Sequence, residues 1–240
     1  ADKTYLVLNL VASMPSVSIV PKGSFHNGPG GYSRYYFQGA ALAELGFIVM
    51  LLDSRGTPLR SKAFQDESYG WLPASANNAD HIGALNQLAV RYPYIELKRA
   101  GVFGQAYRSS LQHFLECQDT YQVCVQMLVM DSRLIGAFEQ EGWEGLEGPS
   151  QDHQFPEQLV DDLQGKLLLM HYMQSAMSTA YPPAGAFRLI DALQQANKDF
   201  DMLLVAHGQP PNDHYLVRRA WDYLVRHLLK IEPPTEYDLS

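Results

Sequence analysis

The stretch Val102-Phe103-Gly104-Gln105-Ala106-Tyr107-Arg108 carries a short apolar segment, Arg99–Phe103, into a helical pattern near Ser109–Glu116. A strand that turns into a helix through a glycine is one step of a strand–helix alternation, and the same alternation continues on both sides. Upstream, Tyr5–Val11 is an apolar run of strand length, and Ser13–Gly31 is a Gly-, Pro- and Ser-rich loop. Tyr35–Leu45 is helical and stops at Gly46, and Phe47–Leu52 is the next strand. Asp53–Ala76 reads as a long polar connection. Asp80–Tyr92 follows as a helix with Ile82, Leu85, Leu88 and Ala89 on one face, ended by Pro93. Downstream, Val123–Met130 is a strand and Asp131–Pro156 is irregular. Leu167–His171 and Phe200–Val205 are strands, and Ala184–Ala196 and His214–Leu229 are helices. Buried strands alternating with amphipathic helices predict an α/β domain: a mostly parallel central sheet flanked by helices on both faces.

Length and composition fit one such domain over residues 1–240, with no internal repeat and no low-complexity segment. A formal charge of −8 disfavours a phosphate backbone as partner, since nucleic-acid binding needs clustered cations. The longest basic cluster is Arg218-Arg219, inside a helical pattern. No apolar run reaches membrane-spanning length. Two cysteines, Cys117 and Cys124, are too few for a disulfide framework or a zinc site, and both read as small buried residues. No metal and no cofactor is expected.

The turn at Gly104 stands where α/β-hydrolases place the nucleophile elbow, G-x-S-x-G. That chemistry needs a nucleophile on a sharp turn, glycines that let the turn pack closely, and a following backbone N–H for the oxyanion. Here Gly104 alone matches. Ala106 occupies the nucleophile position and has no oxygen with which to form an acyl-enzyme. Arg108 replaces the last glycine with a long charged side chain. Ser109 and Ser110 read as ordinary helix-start serines. Cys117 has no His or Asp framework, and His26, His81 and His113 show no partner pattern and are expected at the surface.

Other segments narrow the reading. Asp53-Ser54-Arg55-Gly56-Thr57-Pro58 followed by Lys62-Ala63-Phe64 resembles the D-x-R-G-(T/S)-x…F stretch of the prolyl oligopeptidase family, in its dipeptidyl peptidase IV branch. The approach Ala41-Leu42-Ala43-Glu44-Leu45-Gly46-Phe47 is similar as well. So are Pro182-Pro183-Ala184 with Phe187-Arg188-Leu189-Ile190-Asp191-Ala192-Leu193, the helix Trp221–Leu229, and Glu232-Pro233-Pro234. The resemblance implies an α/β-hydrolase fold and a serine-type peptidase cleaving short peptides, often after proline, with a Ser-Asp-His triad. It also implies that residues 1–240 are the C-terminal part of a longer, propeller-containing protein.

Carried over position by position, the resemblance implies a site largely lost. Tyr107 keeps the family's Tyr, so its backbone N–H remains available to an oxyanion. The second oxyanion donor, a Tyr in Tyr-Gly-Gly-Pro, corresponds to Ala12 in Ala12-Ser13-Met14-Pro15, and alanine cannot donate. Counting back from Pro182 places Ser178 at the catalytic Asp, and from Gln164 through Ile190 there is no Asp or Glu. Nothing in that loop can orient a histidine. His207, in Ala206-His207-Gly208-Gln209-Pro210-Pro211, is a remnant of the catalytic His in a loop of altered length. His171, Tyr172 and Met173 replace small residues at a strand end and are expected to fill or reshape the old pocket, beside Arg108. Asp53 and Arg55 are expected to hold the loop after their strand by hydrogen bonds.

A single engineered serine replacement accounts for Ala106, but not for Ala12, Arg108, Tyr172 and the acid-free loop. The expectation is a pseudo-peptidase acting in binding or assembly, with a homodimer and a peptide or small-molecule ligand as candidate partners. The alternatives are a serine-type dipeptidyl or oligopeptidase mutated at Ala106, and a small-molecule binding protein using the remodelled pocket. A bacterial origin, with periplasm and cytoplasm both open, is as far as the resemblance reaches on location.

Overall fold

A computed structural model describes residues 3–12, 17–20, 33–69, 77–105, 109–127, 155–173, 183–206 and 214–235. The elements are β1 Tyr5–Val11, α1 Ser33–Glu44, β2 Ile48–Leu51, α2 Lys62–Asp66, α3 Asn78–Arg91, β3 Ile95–Gln105, α4 Ser109–Glu116 and β4 Tyr121–Met127. They continue with α5 Pro156–Leu159, β5 Lys166–Tyr172, α6 Pro183–Gln195, β6 Asp201–Val205 and α7 His214–Leu224. A one-turn 3-10 helix, Val160–Asp162, extends α5, and a π-helical turn, Val225–Leu229, extends α7.

Six strands form one sheet in the order β2-β1-β3-β4-β5-β6, and each pair is parallel. The expected layering follows from period-2 alternation along each strand. On β1, Leu6, Leu8, Leu10 and Ala12 join a core shared with Leu42 of α1 and with Leu216 and Leu224 of α7. Val7 and Val11 point the other way, into a core shared with Leu85 of α3, Leu111 and Phe114 of α4, and Leu189 of α6. The sheet therefore carries helices on both faces, as an α/β-hydrolase fold does.

The pattern misplaced some boundaries for local reasons. β3 begins at Ile95 rather than Arg99, because its register against β1 slips between Leu6↔Glu96 and Leu8↔Gly101. The Lys98 N–H is satisfied in that bulge by Glu96 Oε1 at 2.8 Å. The connection after β2 contains the short helix α2, whose N-cap Ser61 accepts from the Phe64 N–H. The last helix changes from α to π at Val225, where Leu228 packs onto the sheet. Gly101 leaves room for that approach: a Cβ there would stand 2.8 Å from Leu228 Cδ2 and 3.0 Å from Leu8 Cδ1. His81 and His113, expected at the surface, are fully buried between the sheet and the helices α3 and α4. His26 lies outside the described residues.

Candidate functional site

Strand order reverses around β1. The chain leaves β1 for β2 on one side, then crosses back to β3 on the other. In open parallel sheets the crevice beyond the strand C-termini at such a switch is where ligands bind. The C-termini meeting here are Val11-Ala12 of β1 and Gly104-Gln105 of β3, with Val11 paired to Gly104.

Ala12 is 1% exposed and buries its methyl in the core beneath α1 and α7. Gly104 explains the start of the turn. A Cβ on it would stand 1.8 Å from Ser110 Oγ and 2.1 Å from Ser110 Cβ, so α4 lies against β3 at a distance only glycine permits. Ser110 is buried and donates to Gln126 Oε1 of β4. It is thus a packing residue, not a simple helix-start serine. Ala106, Tyr107 and Arg108 lie outside the described residues, in the stretch linking Gln105 to α4.

Two further strand ends border this edge of the sheet. β5 ends at Tyr172, paired with Val205 of β6, and the Met173 N–H continues the ladder to Val205 O at 2.8 Å. Tyr172 is packed into the core rather than displayed at an open crevice, and His171 is also buried. Met173, at 37% exposed, alone of the three faces solvent appreciably. Ser178 lies in residues 174–182, after β5, and His207 follows Ala206 at the end of β6; both fall outside the described residues.

The Asp53-Ser54-Arg55-Gly56-Thr57 motif frames the other side of the switch, and each residue has a physical task. Asp53 is buried and accepts from Ile19 N at 2.7 Å, Val20 N at 3.3 Å and Ser18 Oγ at 2.6 Å, fastening the segment after β1 to the end of β2. Arg55 reaches α3 instead: its backbone N–H and Nε donate to Asp80, and Nη2 lies 2.9 Å from Asp80 Oδ1. Burial alone would raise the Asp80 carboxyl, but the hydrogen bonds and charge of Arg55 outweigh it and hold it below the usual carboxylate range. Gly56 has φ of +94°, a conformation that favours glycine, and donates to Phe64 O at 2.7 Å. Thr57 Oγ1 closes the turn on Ser54 O at 2.8 Å. The expected loop-holding role of Asp53 and Arg55 is present: Arg55 pairs with Glu67 of its own connection at 4.0 Å, and both residues also reach neighbouring segments.

No substitute nucleophile emerges among the cysteines. Both are free; Cys124 is buried. Burial, then the charges of Glu116 and Asp119, pushes the Cys117 thiol up to about 11, so it stays protonated at neutral pH. Among the described residues no three His, Cys, Asp or Glu side chains are grouped to hold a metal. No described helix is long and apolar enough to cross a membrane.

The chain matches the sequence pattern of the prolyl oligopeptidase family over residues 33–230. Human dipeptidyl peptidase 8 is 30% identical over 92 residues, 38% of this chain and 10% of that protein; the mouse protein is 29% identical over the same length. The Pyrococcus horikoshii acylaminoacyl peptidase superposes with a TM-score of 0.74 at 15% identity, over 98% of this chain and 39% of that one. Porphyromonas gingivalis dipeptidyl peptidase 4 superposes with a TM-score of 0.70 at 21% identity, over 91% of this chain and 31% of that one. At such identities the structural likeness shows the fold. The chain spans well under half the length of each of these relatives.

Proposed function

The chain belongs to the prolyl oligopeptidase family, and on that premise we propose that it is a pseudo-peptidase, an α/β-hydrolase domain that acts by binding or assembly rather than by cleaving peptides. The observation that carries this reading is Ala106, two residues past Gly104 in the sequence between β3 and α4. An acyl-enzyme needs an oxygen or sulfur at that position, and a methyl group supplies neither. Ala12 at the end of β1, with no hydrogen-bond donor on its side chain, supports the same reading at the oxyanion position.

Loss of the nucleophile alone leaves a fold able to bind what it no longer cuts. The remaining positions argue against a site one mutation short of activity. Ser178 stands where the family places Asp, and no carboxylate occurs from Gln164 through Ile190. His207 therefore has no acid in that loop to fix its tautomer. Assembly, as a homodimer or beside a further domain of a longer chain, and a peptide or small molecule at the reshaped crevice are the roles left open to such a domain.

The test is hydrolysis of chromogenic X-Pro and X-Ala dipeptide substrates by the natural chain and by Ala106→Ser side by side. Both are expected to stay at the uncatalysed rate while the variant remains folded. Turnover appearing in Ala106→Ser would show a working Asp–His pair and overturn the proposal.

A further inference from the structure

Beneath the candidate site, on the α3/α4 face of the sheet, four polar side chains are buried together: Asn9 of β1, His81 of α3, His113 of α4 and Tyr121 of β4. Each is fully screened from solvent. Asn9 occupies the position between Val7 and Val11 that otherwise faces an apolar core. Burying such groups is costly unless each finds a partner, so their hydrogen bonds determine their protonation.

The bonds can be followed from the surface inward. Asn78 Nδ2 donates to the Glu116 carboxylate, which turns Asn78 Oδ1 toward His113 Nδ1. That ring nitrogen accordingly carries a hydrogen, and His113 Nε2 is bare. It accepts from the Tyr121 hydroxyl at 2.8 Å. The hydroxyl in turn accepts from Asn9 Nδ2 at 2.9 Å, and the second hydrogen of Nδ2 faces His81 Nδ1 at 3.0 Å. Burial favours the neutral form of both imidazoles, and the Asn9 amide is shared between the His81 ring and the Tyr121 hydroxyl. His81 Nε2, at the end of this series of bonds, is buried with no partner among the described residues.

Adding a proton to His113 Nε2 breaks this order, because it would confront the Tyr121 O–H and the Asn9 amide N–H. On His81 Nδ1 it would face the Asn9 amide N–H at 3.0 Å, with Asn9 Oδ1 a longer acceptor at 3.3 Å. Charging both would set two cations with ring centroids 4.9 Å apart. The charged and titratable groups nearby offer little relief. From α3, Asp80 attracts His81 but is already held by Arg55. From α4, Glu116 is engaged with Asn78 and Gln112, and the Cys117 thiol stays protonated. From β4, Tyr121 is held neutral by burial, as is Cys124. From β1 there is only Asn9.

We propose that the Asn9–His81–His113–Tyr121 cluster is an acid-sensitive latch, fastening α4 to β1, α3 and β4 while its histidines are neutral and releasing it when they are protonated. Burial supports the sign: it pulls His81 down to about 4, and it pulls His113 well below the ordinary imidazole value, with His81 adding to the effect. In the unfolded chain both rings take up protons near their ordinary value of about 6.5. The stability contribution is therefore complete above that pH and is lost as pH falls from about 6.5 toward about 4. Helix α4 is the next described element after Gly104-Gln105, so release would free the helix that borders the candidate site. The inference is independent of whether that site turns over substrate.

The test is urea unfolding of the full chain at steps between pH 7.5 and 4.5, for the natural protein and for His81→Gln. With both histidines the folding equilibrium should fall by up to about a hundredfold per pH unit below about 6.5, and with one removed by up to about tenfold. Equal slopes in the two proteins would overturn the latch. Should His81→Gln fail to fold, ring 15N shifts of the natural protein decide. Both buried rings are expected to stay neutral at pH 5.5, with the His113 hydrogen on Nδ1. Protonation near the ordinary value in either ring would refute the proposal.

Discussion

At Gly104 one hydrogen atom stands where any side chain would strike Ser110. Helix α4 and strand β3 meet there through backbone and a serine that is itself bonded to Gln126, so little can give way. Gly104→Ala is expected to destabilise the domain by about 3 kcal/mol, the upper end for overpacking. Thermal unfolding should show it as a fall of roughly 6–12 °C in Tm. Adding Ser110→Gly should recover part of the loss, since the two residues share the contact. At this scale the sequence was legible where a rule is local. Gly104 and Ala106 stand in a recognisable sequence pattern, and Gly56 in a recognisable motif. It was not legible at His81 and His113. His81 does fall one helical turn before Leu85, on the buried face of α3, which is a signal of burial. Its partner Asn9 lies 72 residues away, however, and only the strand order brings the two together.

Elements were legible where the apolar period was clean and obscured where the backbone departs from it. β1 was read with its observed ends, because seven residues alternate between two buried faces without interruption. β3 was read short because its bulge brings Lys98 and Arg99 into the pattern and hides the earlier half from Ile95. The connection after β2 was read as polar loop, yet its motif is a set of ties between elements. Asp53 joins the end of β2 to residues 18–20, and Arg55 joins it to α3. Asp53→Ala would leave the Ile19 N–H buried without its acceptor and the Ser18 hydroxyl with only its longer bond to Val20 O, at 3.3 Å. The expected cost is about 2–4 kcal/mol, from unsatisfied donors and a lost charge-assisted bond. Urea unfolding should show a lower midpoint with an unchanged slope. An unchanged midpoint would mean that the 17–20 segment is held by other contacts.

For the whole molecule, alternation of strands and helices was enough to specify a parallel sheet covered on both faces, and the sheet order then assigns the switch point to β1 and β3. The D-x-R-G motif and the terminal helix were enough to point to the family, which the match over residues 33–230 shows. Activity belongs to a different level of evidence, because fold does not fix function; the proposed loss of activity rests on four positions, Ala12, Ala106, Ser178 and His207. Reaction with a fluorophosphonate tests that account most directly, since the reagent traps any activated serine whatever the substrate. Intact-mass measurement should find neither the natural chain nor Ala106→Ser modified, because no carboxylate from Gln164 through Ile190 can support a histidine base. Stoichiometric labelling of Ala106→Ser at position 106 would contradict it, and would mean that the domain is a peptidase lacking only its nucleophile.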